Sequence, residues 1–139
     1  MIKRFGALWL AWIAPTIVPA ANAQEPPSGI WVRAGYRLAV AAEFEFPARF
    51  MARDDQGAVY VSDPRGGTIT RCTDPDGDGV LERRTTFVAD RPTAHGMQWH
   101  DGWLWFTQTG AIHRARDTDD DGAADELITV LPAAGGYRT

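Results

Sequence analysis

From residue 36 onward, short segments rich in β-branched and aromatic residues alternate with turns of Gly, Asp and Pro. None of these segments carries a helical period, and short apolar runs bounded by turn residues are typical of β-strands. The pattern therefore predicts an all-β chain with strands in two groups of four. The first group is 48–53, 58–63, 68–73 and 84–89, and the second is 95–100, 103–108, 111–116 and 126–131.

The second group of strands repeats the first. Aligning Asp74 with Asp117, 43 residues later, places "ITRCTD" from Ile69 on "IHRARD" from Ile112. Further upstream, "GAVYVSD" matches "GWLWFTQ" at an offset of 45 residues. A repeat of about this length with four strands is the signature of a β-propeller blade.

The repeat predicts an incomplete propeller. A propeller ring typically closes with about four to eight blades, and two alone would leave open sheet edges. The chain is therefore interpreted as the front of a longer protein, and "GYRLAVAAEF" as an extra strand that completes a blade elsewhere in the ring. A compact two-sheet sandwich and an assembly of several chains are the alternatives. The predicted divisions are a signal at 1–23, a linker at 24–35, a partial propeller at 36–139, blades at 47–90 and 95–133, and the start of a third blade at 134–139.

The first residues have the features of a cleaved export signal. Lys3 and Arg4 precede an apolar run, and "ANA" at 21–23 is a small-residue cleavage site. Pro15 interrupts the run, which is short for a bilayer crossing. We expect cleavage after Ala23 and a periplasmic or secreted protein, with an uncleaved membrane anchor as the alternative.

Charge and cysteine content narrow the function classes. Without the predicted signal, 12 of the 14 basic residues remain beside 18 acidic ones, which argues against a nucleic-acid partner. The single cysteine, Cys72, excludes an intrachain disulfide, and its place in a predicted strand favours a buried apolar role.

Two acidic loops, "DPDGDGVLE" and "DTDDDGAAD", follow the third strand of each group and fit D-x-D-x-D-G-x-x-[DE]. Alternate oxygens of such a turning loop suit Ca²⁺, and the glycine allows the sharp turn. The bidentate glutamate of an EF-hand is missing, because Thr85 and Ile128 stand in its place. A plain acidic turn is the alternative. The predicted ligands are Asp74, Asp76, Asp78, the Val80 carbonyl and Glu82 in the first loop, and Asp117, Asp119, Asp121, the Ala123 carbonyl and Asp125 in the second.

Strand direction places other side chains at the opposite end of the blades. Turns after the first and third strands share one end, so those after the second and fourth strands lie at the other. That second end is predicted to carry Arg49, Arg65, His95 and Arg138. An acidic, cation-binding end thus contrasts with one that has arginine and histidine around a central channel.

The segments "FPARFMARDDQGAVYVSD", "ITRCTDPDGDGVLERRTTFV", "AHGMQWHDGWLWFT" and "IHRARDTDDDGAADELITVLP" resemble exported β-propellers of the quinoprotein glucose/sorbosone dehydrogenase-like superfamily. More closely, they look like the bacterial branch of that superfamily often called membrane-bound dehydrogenases. The resemblance implies pyrroloquinoline quinone as cofactor, with Arg65 and Arg138 toward its carboxylates and His95 as general base. It also implies a sugar or alcohol substrate, further C-terminal blades, and a c-type haem domain or another electron acceptor. Where the family often has histidine after a double glycine, this chain has Tyr137.

Three functions remain open at this point. The first is the N-terminal part of an exported quinone-dependent sugar or alcohol dehydrogenase, inactive as a fragment. The second is a non-catalytic, calcium-stabilised propeller that binds protein or carbohydrate, and the third is a truncated product without independent activity. Trp103 and Trp105, on one side of one strand, fit packing between blades better than stacking on a sugar.

Overall fold

The computed structural model describes residues 29–132, which form two four-stranded antiparallel sheets and no helix. Neighbouring strands in each sheet follow chain order, so each sheet is an up-and-down meander. This confirms the predicted all-β class and its propeller-like blades. The first sheet has β1 (Met51–Arg53), β2 (Val59–Asp63), β3 (Thr68–Thr73) and β4 (Arg83–Val88), and the second has β5 (His95–His100), β6 (Trp103–Gln108), β7 (Ala111–Arg116) and β8 (Glu126–Leu131).

Most strand boundaries follow the sequence pattern, and β1 departs from it. The predicted strand began at residue 48, whereas β1 begins at Met51. The Phe50 amide donates to the Ser62 side-chain oxygen (3.3 Å) instead of a backbone carbonyl, although the Ser62 amide still donates to the Phe50 carbonyl (3.0 Å). A serine side chain thus interrupts the ladder at this point. β4 begins and ends one residue earlier than predicted.

The core lies between the two sheets. Tyr60 of the first sheet stacks on Trp99 of the second (centroids 5.6 Å apart) and meets Phe87 edge-on at 4.8 Å. Leu104 and Phe106 close this layer from the second sheet and are fully buried. Burying side chains of this size contributes about 1.5 to 3 kcal/mol each. The apolar layer therefore fixes one sheet on the other, with the first strands β1 and β5 in contact.

The other face of the first sheet is covered by the segment 38–46. The Leu81 amide donates to the Ala41 carbonyl (2.8 Å), and the Arg84 guanidinium donates to the Glu43 carbonyl (2.7 Å). The strand predicted from "GYRLAVAAEF" is an irregular segment in which only Val40 makes a β-bridge. Cys72 is fully buried, as predicted, and burial raises the pKa of its thiol.

Several predicted segments lie outside the described residues: the signal at 1–23, the first part of the linker at 24–28, and the start of a third blade at 134–139. Within residues 29–132, no helix has the length and apolar character needed to cross a membrane.

Candidate functional site

Loop one (residues 74–82) joins β3 to β4 and folds around the side chain of Asp74. One carboxylate oxygen of Asp74 accepts the Gly77 amide (2.7 Å), and the other accepts the Gly79 amide (2.8 Å). Gly79 has a φ of 95°, a conformation that strains any residue with a Cβ. The loop therefore needs both the aspartate that gathers its amides and the glycine that turns the backbone.

Four carboxylates converge in loop one. Asp76 accepts the Asp78 amide (3.2 Å) and Asp78 accepts the Val80 amide (2.8 Å), so successive turns curl the chain. One oxygen of each acidic side chain lies within 4.8 Å of the others, and an oxygen cluster of this kind can hold a metal ion. The four residues are Asp74, Asp76, Asp78 and Glu82. The carbonyl of Val80 remains a predicted ligand.

The hydrogen bonds of loop one also set its charge. The Gly79 amide, followed by those of Gly77 and Asp78, lowers the pKa of the Asp74 carboxyl. Accepted hydrogen bonds favour the ionised form of a carboxyl group. Asp74 is therefore an anion at neutral pH, which is the form that binds a cation.

Loop two (residues 117–125) repeats the same backbone scaffold between β7 and β8. Asp117 accepts the Asp120 amide (2.8 Å) with one oxygen and the Gly122 amide (2.8 Å) with the other. These three residues are the counterparts, 43 positions later, of Asp74, Gly77 and Gly79. The repeat seen in the sequence is thus a repeat of hydrogen bonds as well.

Fewer carboxylates converge in loop two. Asp117, Asp119 and Asp125 bring oxygens within 4.8 Å of one another, and Asp121 is not part of this cluster. An oxygen of Asp121 accepts the amide of Ala123 (2.7 Å), whose carbonyl remains a predicted ligand. The structure therefore brings together three of the four predicted carboxylate ligands.

Thr118 is a further difference of loop two. Its amide (2.7 Å) and its hydroxyl (2.8 Å) both donate to the same oxygen of Asp125. These bonds from Thr118 lower the pKa of the Asp125 carboxyl. Loop one has Pro75 at this position, and proline has neither donor.

The opposite end of the first sheet carries a cleft of about 590 Å³ that contains two arginines, Arg49 and Arg65. The Arg49 guanidinium lies 5.8 Å from the centre of the Phe50 ring. Among the described residues its lining consists of Pro47, Ala48, Arg49, Phe50, Pro64 and Arg65. The Asp63 carboxylate accepts the Arg65 amide (3.0 Å) beside it. Arg65 is therefore near Arg49, whereas Arg138 lies outside the described residues.

His95 stands beside this cleft, with its ring centre 5.9 Å from that of Phe50. Gly96 forms a β-bulge next to it at a φ of 49°, and a Cβ there would lie 2.9 Å from the Thr107 hydroxyl. His95 Nδ1 lies 2.7 Å from the Thr93 carbonyl, which only accepts hydrogen bonds. In the neutral ring Nδ1 must then carry the proton, and Nε2 is left with a free lone pair that can accept one.

The two ends of the first sheet differ in their carboxylates and in their histidine. At the end of loop one, a second cleft includes Gln56 and Gly57 of the β1–β2 turn together with Asp74. Arg53 and Arg71 also line this cleft, so both ends carry arginine. The converging carboxylates lie at the end of loop one, and His95 with the Phe50 ring lies at the far end. The structure places the predicted cation ligands and His95 at separate ends.

Two residues of these sites were not predicted from the sequence. Phe50 links Arg49 to His95, and Thr118 ties one carboxylate of loop two. The sequence signal for Phe50 was its position beside Arg49 in "PARF". For Thr118 it was the only hydroxyl within the acidic loops, at a position where loop one has proline.

Comparison with known proteins identifies the family and leaves the activity open. A family model described as a domain of unknown function (DUF7133) matches residues 25–135, so the chain belongs to that family. No curated protein shows significant similarity to the chain.

Proposed function

We propose that this chain is an exported, calcium-stabilised β-propeller module in which loop one holds a structural Ca²⁺ ion. The observation that carries the proposal is the convergence of four carboxylate oxygens within 4.8 Å of one another in loop one. Like charges at this separation repel one another, and a bound divalent cation removes that repulsion.

The donor set favours calcium over transition metals. The clusters in both loops contain carboxylates and neither histidine nor cysteine. Oxygen-only sets suit hard cations, and Ca²⁺ accepts the irregular geometry of a flexible loop more readily than Mg²⁺. Loop two offers one carboxylate fewer, so we expect it to bind the ion more weakly.

Calorimetry with added CaCl₂ tests this proposal. We expect millimolar Ca²⁺ to raise the midpoint of thermal unfolding by about 4 °C or more, because the ion binds only the folded loop. Asp76→Asn keeps the side-chain oxygen that accepts the Asp78 amide and removes one charge. It should lower calcium affinity by about tenfold.

Two matched variants make the test specific. Asp119→Asn alters the equivalent position of loop two. It should reduce the Ca²⁺-induced rise in the unfolding midpoint less than Asp76→Asn does. Asp101→Asn, in the exposed β5–β6 turn, should leave the response unchanged. Equal stabilisation by MgCl₂ and CaCl₂, or no stabilisation by either, would contradict a calcium site.

A second function is favoured by the opposite end of the module. We propose that the Arg49–Arg65 cleft is part of the site for an anionic quinone in a sugar or alcohol dehydrogenase. The support is the pair of arginines that line the cleft, next to a histidine whose Nε2 has a free lone pair in the neutral ring. Arg65 would pair with a carboxylate of the cofactor, and a bound quinone would supply the two-electron acceptor.

A fluorescence titration with pyrroloquinoline quinone tests this second function. It measures binding of the cofactor, so no turnover is required. Arg65→Ala should weaken binding about tenfold or more, since an ionic hydrogen bond to a carboxylate is lost. Arg83→Ala, an exposed arginine at the start of β4, is the matched control. If the two variants bind equally, or if the wild-type chain does not bind, the second function is wrong.

A further inference from the structure

The face of the second sheet that points away from the first sheet is its outer face. Trp105, Ile128 and Val130 lie on it, and Ile128 and Val130 are 39% and 46% exposed. We propose that this outer face is the docking surface for a third four-stranded sheet of the same repeat, supplied by a segment other than a second copy of this chain. The proposal concerns assembly and does not depend on a bound cation or quinone.

Strand register shows which residues of the two sheets are equivalent. Tyr60 pairs with Arg71 across the first sheet, and Trp105 pairs with Arg114 across the second. Tyr60 and Trp105 each follow the turn glycine of their repeat by three residues. The outer face of the second sheet is therefore the counterpart of the face of the first sheet that carries Tyr60.

The two counterpart faces differ in what covers them. On the first sheet, Tyr60 and Phe87 are each only 2% exposed, because the second sheet packs on them. On the second sheet, Val130 stands where Phe87 stands, 43 residues later, and it is exposed. The face that is buried in the first sheet thus recurs in the second with Ile128 and Val130 exposed and Trp105 half-buried.

A backbone hydrogen bond between successive units fixes where one sheet docks on the other. The amide of Ala124, in loop two, donates to the Phe87 carbonyl of β4 (2.9 Å). The amide of Leu81, its counterpart in loop one, donates to the Ala41 carbonyl (2.8 Å). Each acidic loop is therefore anchored on the backbone of the preceding unit. For a third sheet, the equivalent anchor is the carbonyl of Val130.

The same hydrogen bond argues against a second copy as the occupant. In each copy the Leu81 amide is already bonded to Ala41 of the same chain, so its first sheet has no free anchor to offer. A third repeat would bring its own acidic loop with that amide free. Docking of such a repeat requires no displacement of the segment 38–46.

The side chains of the outer face determine which residues a third sheet must place opposite them. The Arg114 guanidinium lies 4.2 Å from the centre of the Trp103 ring, so these two side chains contact each other on this face. Within the described residues, neither Nε1 of Trp105 nor Nε of Arg114 has a hydrogen-bond acceptor. Both nitrogens are already buried within the chain, so a docking sheet meets mainly Ile128 and Val130 and needs apolar residues opposite them.

An extended chain tests the proposal. A second copy of residues 91–132 is placed directly after residue 133, which reproduces the spacing between β4 and β5. We expect one cooperative unfolding transition with its midpoint raised by about 5 °C, because the added sheet buries the outer face. Val130→Asp should lower the midpoint much more in the extended chain than in the original one. Thr86→Asp, at an exposed position of β4, should have the same effect in both.

Sedimentation of the original chain provides the second measurement. A monomer supports the proposal, because the outer face then awaits a third sheet. A dimer that Val130→Asp dissociates would make a second copy the occupant and overturn the proposal. An extended chain whose midpoint is unchanged, with Val130→Asp acting equally in both chains, would also overturn it.

Discussion

Loop one and loop two have the same scaffold in different surroundings. In each, the first aspartate accepts two backbone amides, and a glycine near φ 95° makes the turn, with Gly79 at 95° and Gly122 at 94°. Four carboxylates converge in loop one and three in loop two. The shared part builds a turn, and the part that differs decides how well that turn can bind a cation.

Their surroundings differ as well. Gly122 is buried against Thr85 of β4, and Ala124 is bonded to the same strand, so loop two lies between the sheets. Loop one faces the segment around Ala41, and Gly79 is exposed. The comparison indicates that loop two serves mainly the junction between sheets, while loop one is better equipped to hold an ion.

The largest effect is expected from alanine at the two turn glycines. Gly79→Ala strains the backbone alone, because no atom lies within 4 Å of the added Cβ, and should cost about 1 to 2 kcal/mol. In Gly122→Ala the Cβ also meets the Thr85 hydroxyl at 3.2 Å, so the cost should reach about 2 to 4 kcal/mol. Urea denaturation measures both, and equal losses would show that loop two is not tightly packed on β4.

A smaller change in stability is expected at the position where loop one has glycine and loop two has aspartate, both with a positive φ. Gly77 has a φ of 76°, and its counterpart Asp120 has a φ of 63°. Gly77→Ala should cost about 1 kcal/mol, whereas Asp120→Gly should change stability by less than about 0.5 kcal/mol, since aspartate tolerates this region. Denaturation curves test the pair, and a large gain from Asp120→Gly would mean that loop two is strained.

The smallest effect concerns protonation. Because hydrogen bonds lower the folded-state pKa of Asp74 and Asp125, both stabilise the fold above the ordinary aspartate pKa. That stabilisation is lost as the pH falls through their folded pKa values. Thr118→Val removes one donor and should raise the pKa of Asp125 toward its usual value while leaving that of Asp74 unchanged. Carboxyl NMR titration measures both, and an unmoved Asp125 would show that the hydroxyl bond has no influence.

Local pattern was enough to predict the sheets. Strands β5 to β8 and β3 have their predicted boundaries because β-rich runs end at turn residues such as Gly102 and Gly110. The convergence of Asp74 with Asp76 and Asp78 also follows from their spacing in a tight turn.

Contacts between distant segments were beyond reach of that pattern. The placement of Ala41 beside Leu81 depends on how a long segment crosses a sheet, and no local spacing encodes it. The absence of Asp121 from the loop-two cluster, within the described residues, depends on which way one carboxylate turns. The counterpart bond, from the Val80 amide to Asp78, is present in loop one, where Asp78 does belong to the cluster. Neither the motif nor that bond therefore distinguishes the two loops.

The two anchoring bonds, from Leu81 to Ala41 and from Ala124 to Phe87, both point toward the earlier part of the chain. Each unit therefore finds its docking partner among residues that were synthesised before it. The bonds span 40 and 37 residues, about one repeat each, and reach no further than the preceding unit. A chain that emerges N-terminus first can consequently add one sheet at a time, each onto a surface that is already in place.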